Sequence, residues 1–297
     1  MSSRLLPTNL QLTKSVHMNT QNNLIRTIQP FVLILALLST GCANRNHQKG
    51  TFEDTDQIIP IKEHLIMSVL WQQNSAEYKA LCYQAFNQAR AVLDRHLENT
   101  SDEKPLAIIT DIDETILDNS PYSAQMILRD ENYERSSWIE WGKKESAKLV
   151  PGAGDFLTYA ASKDVEVFYI SNRLDVQMEE TLNNLKALGM PDSRAENILL
   201  RTSSSGKEPR REQVSQTHNV VLHIGDNLSD FHESYDEKYS RERNSLVDSM
   251  KDSFGTQYIV LPNPMYGDWE TKGLYENKYN LTEFERRNIR RQKLILP

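Results

Sequence analysis

The stretch that decides the fold is residues 106–122, LAIITDIDETILDNSPY. Leu106, Ala107, Ile108 and Ile109 make an apolar, mostly branched run, and Asp111 and Asp113 stand where a strand of that length should end. Glu114, Thr115, Asp118 and Asn119 follow in a polar turn. The pattern predicts a buried strand whose carboxyl end is crowded with acids. Carboxylates gathered at one point repel one another and lose hydration, so a chain that builds such a cluster commonly holds a divalent cation there. In an open α/β sheet, the crevice beyond the carboxyl ends of the strands is also where ligands bind. Taken alone, the stretch has a plainer reading: a strand followed by an acidic helix N-terminus, favoured by the helix dipole.

The chain has 297 residues and a net charge of -7. That length supports one full core, or one and a half domains of ordinary size. A mildly acidic surface repels phosphate backbones, so no nucleic-acid polymer is expected as a partner, and a phosphorylated ligand would have to be held by local cations. The composition points to a small ligand in a focused site.

Of the two cysteines, Cys42 follows an apolar run at 31–38 and the small residues Ser39, Thr40 and Gly41. This is an h-region with a small-residue cleavage site, too short for a membrane span. It resembles a bacterial lipoprotein signal over residues 1–41, in which Cys42 becomes the lipidated first residue of the mature chain. Leu38 lies four places before the cysteine rather than the usual three, and the leader is long; Met18 is an alternative start that leaves Arg26 as the n-region charge. Ala43 after the cysteine fits the outer membrane by the family's sorting rules. Residues 42–56 read as a polar tether without apolar periodicity. Cys82 then has no partner, and its place in a helical pattern makes it a buried small hydrophobe.

The folded domain is expected over 57–297. Residues 61–71 and 75–98 carry helical spacing, with Tyr78, Leu81, Cys82, Ala85, Phe86, Ala89, Val92 and Leu93 at threes and fours and Asn74 or Ser75 as N-cap, so N-terminal helices should fill 57–100. Residues 123–149 hold aromatic residues and mixed charge but no strand pattern. That is too long for a βα connection, and it predicts an inserted helical cap at about 120–150. Beyond Pro151 and Gly152 the alternation resumes: helix 155–162, strand 165–170, helix 176–188, strand 198–200, a loop 202–206, helix 207–217, strand 220–224 and a last strand 258–261. The implied class is α/β, a mainly parallel sheet with helices on both faces and a smaller helical cap. A basic helix is expected at 281–294, read chiefly as a solvated face, with anionic lipid headgroups as the alternative.

In a parallel sheet the strand ends lie along one edge. Asp111 and Asp113, Ser171 and Asn172, Lys207, and then Gly225, Asp226, Asn227 and Asp230 should therefore share one crevice. Each has a dull explanation: Ser171 as a helix N-cap, Lys207 as a surface charge, Asp226 and Asp230 as an acidic turn. Together they supply carboxylates, a hydroxyl and a cation, an inventory suited to phosphoryl transfer.

The two segments IITDIDETILDNSPY and VLHIGDNLSDF, with a Ser and a Lys between them, resemble the haloacid dehalogenase superfamily, and more closely the class C bacterial acid phosphatases of the lipoprotein e type. The resemblance runs from about Trp71 to about Trp269, with the lipoprotein leader besides. It implies a HAD-like Rossmannoid sheet and a Mg²⁺-dependent acid phosphatase and 5′-nucleotidase. Asp111 would be the nucleophile forming an aspartyl phosphate. Asp113 would be the general acid, protonated in the first step, which predicts an acidic optimum because an unshifted aspartate is mostly ionised at neutral pH. Ser171 and Asn172 would bind phosphate, Lys207 would neutralise it, and Asp111, Asp226, Asp230 and the Asp113 backbone carbonyl would meet the metal, leaving the Asp113 side chain free. Trp138 and Tyr266 resemble the family's aromatic pair around a nucleobase or nicotinamide ring, with Trp141 the packing residue beside them. A homodimer is left open.

Other phosphatase chemistries fit poorly. No Arg-His-Gly is present, neither cysteine has an arginine six places on, and the seven histidines form no close zinc pair. His223 and His232 flank the second acidic motif and read as structural or rim residues. Two other functions are kept in view: a surface lipoprotein that binds a cofactor or host ligand without turnover, which would have no need of a nucleophile, and the same fold acting on phosphoproteins or sugar phosphates.

Overall fold

The computed structural model describes residues 60–99 and 103–297. The chain divides into two units, Met1–Thr55 and Asp56–Pro297. The first, with the expected leader, most of the tether and Cys42, lies outside the described residues. Among those described, no helix is long and apolar enough to cross a membrane.

The second unit opens with α1 (Ile66–Asn74) and α2 (Ala76–Asn99). Ser75 between them is extended, and its Oγ accepts from the Tyr78 amide at 3.0 Å, which starts the second helix. Tyr78, Cys82, Phe86, Ala89 and Leu93 form one buried stripe along α2, each large side chain contributing about 1.5–3 kcal/mol on burial. Cys82 is free and fully buried.

Five parallel strands follow: β1 (Leu106–Thr110), β4 (Glu166–Leu174), β5 (Ile198–Arg201), β6 (Asn219–Gly225) and β7 (Tyr258–Val260), in the order β5-β4-β1-β6-β7. The first strand is central, and both its faces are covered. Ile108 joins Val167, Tyr169, Leu222 and Ile224 in the core beneath α2 and α5 (Ala153–Ala161), while Ala107 and Ile109 join Phe168, Ile170 and Val214 beneath α7 (Glu208–Thr217). Double coverage is why the run at 106–109 is apolar throughout rather than alternating.

The insertion contains α3 (Ser120–Arg129) and α4 (Arg135–Gly142), as its length predicts. It also contains what its pattern does not: β2 (Leu117–Asp118) pairs antiparallel with β3 (Lys148–Leu149) and closes its base. Two-residue strands are too short to show alternation. Three further differences stand out. The second sheet strand continues to Leu174 instead of ending at residue 170, α6 spans Met178–Ala187, and α8 (Ser240–Ser249) occupies a region that the sequence reading passes over. The C-terminal helix is α9 (Glu283–Gln292), started by a capping box between Thr282 and Glu285.

One half-buried side chain away from the sheet edge makes the fold sensitive to acid. His223 packs edge-on against Tyr258 with ring centroids 5.8 Å apart, and its buried Nδ1 has no hydrogen-bond partner. Burial above all, helped by Arg211, holds its pKa at about 4 against an ordinary 6.5. Between those values the unfolded chain binds a proton that the folded chain refuses. Stability is therefore full above pH 6.5 and is lost as pH falls toward 4, by up to about 3 kcal/mol. Urea denaturation across that window should show the loss, and His223→Phe should flatten it; equal slopes in the two proteins would refute the assignment.

Candidate active site

The carboxyl ends of β1 and β6 bring the acids together. The Asp111 amide continues the ladder to the Ile224 carbonyl at 2.8 Å, so Asp111 leaves the sheet in register. The chain then closes tightly: the Ile116 and Leu117 amides both reach the Ile112 carbonyl at 2.8 Å, and Glu114 sits in the left-handed region at φ 62°. On the neighbouring strand end, the Asp230 carboxylate caps the Asn227 amide at 2.9 Å, beside Gly225. A Cβ on Gly225 would come within 2.5 Å of Asp230 Oδ2, so glycine there is a spatial requirement of the acidic turn.

Asp111, Asp226 and Asp230 each offer an oxygen within 4.8 Å of the others. Lys207, the residue before α7, reaches in from the side: its buried Nζ bonds Asp111 Oδ1 and lies 2.7 Å from Asp230 Oδ1. Thr115 and Asn263 each donate to Asp226, at 3.1 and 2.8 Å. The charges do not balance, since one lysine faces three carboxylates. Burial first, then Asp230 and Asp111, pushes Asp226 well above the ordinary carboxylate range. Asp111 and Lys207 pull apart on this point. Burial raises Asp111 to about 7 against the pull of Lys207, whereas Lys207, lowered by burial but raised more by its two carboxylates, is pushed up to about 12. The contact geometry favours the ionised pair. The upward push on Asp111 and Asp226 comes first from burial and only then from the neighbouring carboxylates, whose charge one lysine does not balance. A divalent cation with a preference for hard oxygen ligands fits this donor set in charge and in chemistry.

Asp113 is outside that group. The Arg173 guanidinium holds its carboxylate, with Nε at 2.9 Å and Nη2 at 2.8 Å from Oδ1; Asn119 Nδ2 donates to the same oxygen at 2.9 Å, and Ser171 Oγ donates to Oδ2 at 3.1 Å. The Asp113 side chain thus stands apart from the three grouped carboxylates, as expected, but it is held by other partners. Arg173 and Ser171 are two apart on the extended strand, so both face Asp113, and Asn172 between them faces away. Asn172 Oδ1 instead accepts from Arg210 at 2.8 Å, and Arg210 also binds the Ser171 carbonyl at 2.6 Å. Ser171 is accordingly a residue of the strand itself, where the sequence reading placed it after the strand end.

The cap is tied to this constellation through Asn119, whose Oδ1 accepts from the buried Trp141 Nε1 at 2.8 Å. Trp141 is therefore the packing residue, as its spacing suggests. Trp138 remains half-exposed, packed edge-on against Tyr122 at 5.1 Å and with the Arg173 guanidinium 5.8 Å from its ring centroid. Tyr266 is 38% exposed, and its hydroxyl donates to the buried Glu114 carboxylate. Glu114 is raised well above its ordinary range by burial, then by Asp113 and Asp226.

The structure so far shows a carboxylate paired with a buried lysine, two further acids beside it, and a fourth carboxylate held by an arginine, all on one edge of a parallel sheet. The model of the HAD superfamily, subfamily IIIB (acid phosphatase), matches residues 42–269. The chain belongs to this family. The class C acid phosphatase from Bacillus anthracis is 42% identical, with a TM-score of 0.77, covering 80% of this chain and 100% of that one. A crystal structure of the same enzyme with tungstate bound matches equally well. Among curated proteins, vegetative storage protein 1 of Arabidopsis thaliana is 26% identical over 168 residues. This chain spans about half the length of that relative, 54%. The HAD fold and the acid phosphatase family expected from the two acidic motifs are thereby established, and phosphomonoester hydrolysis is the family's chemistry.

The sequence reading gave Arg173, Asn119, Asn263 and Arg210 no role in the site. Ending the strand at residue 170 hid Arg173; carrying the period-two alternation on from Ser171 would have placed it on the same face. Asn119 and Asn263 offered no such signal, because a loop amide marks its target only once the chain is folded.

Proposed function

We propose that this acid phosphatase hydrolyses small phosphomonoesters, nucleoside monophosphates in particular, through an aspartyl-phosphate intermediate, with Mg²⁺ as its metal. The observation that carries the reading is the contact of buried Lys207 with Asp111 beside Asp226 and Asp230. Asp111 attacks phosphorus and displaces the leaving alcohol; water then attacks the aspartyl phosphate and regenerates Asp111, so one hard hydrolysis becomes two easier steps. Lys207 offsets the repulsion between the carboxylate and the phosphoryl oxygens. Asp113 gives its proton to the leaving oxygen and later takes one from the attacking water. Ser171 is placed to donate to a phosphoryl oxygen when it leaves Asp113. Asp111, Asp226 and Asp230 would hold Mg²⁺, which when bound supplies further neutralisation of phosphoryl charge. The tungstate bound by the Bacillus anthracis enzyme is a tetrahedral oxyanion, which supports a phosphate-shaped site here.

The aromatic rims favour nucleotides over bare sugar phosphates. Trp138 and Tyr266 are accessible rings at the entrance, and ring stacking tolerates any base. The leader and Cys42 support secretion and a lipid anchor in the outer membrane. Phosphate release from a nucleoside monophosphate, measured with Mg²⁺ and after EDTA from acid to neutral pH, tests the whole reading. Release that needs the metal and rises toward acid pH is the expected result. Folded protein with no release would leave the binding lipoprotein as the better account.

Arg173 is a positioning residue in this scheme. Its fork fixes the Asp113 carboxyl in one orientation, which lysine cannot reproduce despite its charge. Arg173→Lys should lower kcat by roughly a hundredfold, the scale of one general acid, with KM changed much less. The loss should be smallest for esters with good leaving groups, which need little protonation. A uniform loss across leaving groups, or a loss confined to KM, would show that Arg173 serves folding or ground-state binding.

A further inference from the structure

Outside the phosphatase machinery, the C-terminal segment has an unusual surface. Residues 283–297 hold five cations, Arg286, Arg287, Arg290, Arg291 and Lys293, against Glu283 and Glu285. That is a net +3 in a chain of net -7, so the remaining residues carry -10. The family model ends at residue 269, before α9 begins. Two of the arginines are engaged within the domain. Arg290 turns inward to Glu283 and the Tyr275 hydroxyl, and Arg286 binds the carbonyls of Tyr279 and Leu281. Phe284, Arg287 and Arg291 recur at threes and fours along α9, and past its end at Gln292 the chain runs on through Leu294, Ile295 and Leu296. Phe284 is 61% exposed, and the three terminal aliphatics are 68%, 98% and 79% exposed. Large apolar side chains flanking arginines on a short, strongly polar helix are the pattern of a segment that lies in a membrane interface.

We propose that α9 and the segment 294–296 form a second membrane contact, an interfacial surface for anionic phospholipid headgroups. Phe284, Leu294, Ile295 and Leu296 enter the headgroup layer, and Arg287 and Arg291 lie against lipid phosphates. A single acyl anchor gives only reversible binding, and a basic patch is a recognised second signal. The biological use rests on the Cys42 reading given above, whereas the contact itself does not.

The test uses the compact unit from Asp56 to Pro297, which lacks Cys42, with vesicles of neutral phosphatidylcholine alone or with added phosphatidylglycerol. Sedimentation should show binding to the anionic vesicles only, weakened by high salt. Arg287→Glu with Arg291→Glu should reduce it at least about tenfold, at around 1 kcal/mol for each basic residue near the surface. Phe284→Ser should weaken binding further while leaving phosphatase activity intact. Asp111→Asn, or saturation with inorganic phosphate, should leave vesicle binding unchanged; if either abolishes it, the lipid is only a ligand of the catalytic site. Equal binding to both vesicle types, no binding, or an unaffected double variant would overturn the proposal. The anchor is tested apart from this, in cells: Cys42→Ser should release the full chain from the membrane fraction except for what α9 retains, and unchanged fractionation in a strain that also carries the double variant would remove the anchor and leave the vesicle result standing.

Discussion

Asp111→Asn is expected to lower kcat by roughly 10⁴-fold or more, the scale seen when a covalent nucleophile is removed. The substitution is nearly isosteric. Its amide oxygen still accepts from Lys207 Nζ, and it removes one carboxylate from a buried group whose crowding already pushes Asp111 up to about 7, with burial the largest cause. Stability should therefore be unchanged or slightly higher than in the parent. The pair of outcomes is what identifies a nucleophile: turnover lost, thermal midpoint kept. Substantial residual turnover in protein of normal stability would sink the assignment and transfer the role to another group on the sheet edge. Asp226 is the next carboxylate there, but Thr115 and Asn263 already engage both of its oxygens.

Lys207→Met should affect both quantities. The lysine is 5% exposed and contacts two carboxylates, so removing it takes from Asp111 and Asp230 the one ion-pair contact that either makes among the described residues. Breaking a buried ion pair from one side costs about 3–5 kcal/mol, because the stranded charge cannot be rehydrated. Activity should fall by at least about a hundredfold, since a fixed cation next to the nucleophile stabilises charge that develops in the transition state. The stability loss should shrink toward acid pH, where Asp111 and Asp226, both raised first by burial, take up protons well before ordinary surface acids. Denaturation profiles across pH together with kcat would check this. A variant as stable as the parent at neutral pH would mean that Lys207 is not the counter-charge of this cluster.

The two predictions differ because the same cluster contains a group that reacts and a group that compensates. An amide can replace the first without disturbing packing, and no apolar side chain can replace the second. Variants at Arg173 fall between these cases: the guanidinium is 2% exposed, but the Asp113 carboxylate it holds is 15% exposed and keeps access to solvent.

Much of this was legible in the chain. The apolar run at 106–109 could be buried on both faces only in a parallel sheet, and strand ends in such a sheet must share an edge. That topological rule placed Asp111, Lys207, Asp226 and Asp230 together from positions spread over 120 residues, because chain direction is a property of pattern and needs no side-chain detail. The length of the insertion announced a cap, and the period of α2 announced its buried stripe, Cys82 included. What the tertiary structure alone decided is which side chains engage one another. Asp113 was assigned no side-chain partner in sequence and is gripped by Arg173, Asn119 and Ser171; Asn172 looked like its neighbour and faces Arg210; the arginines of α9 looked alike, yet Arg290 is held by Glu283 and Tyr275 and Arg286 by backbone carbonyls. Hydrophobic periodicity reports burial, which is averaged over a whole face. Hydrogen bonds and ion pairs act over about 3 Å, and at that scale the partner of a polar side chain is fixed by where the folded backbone brings distant loops.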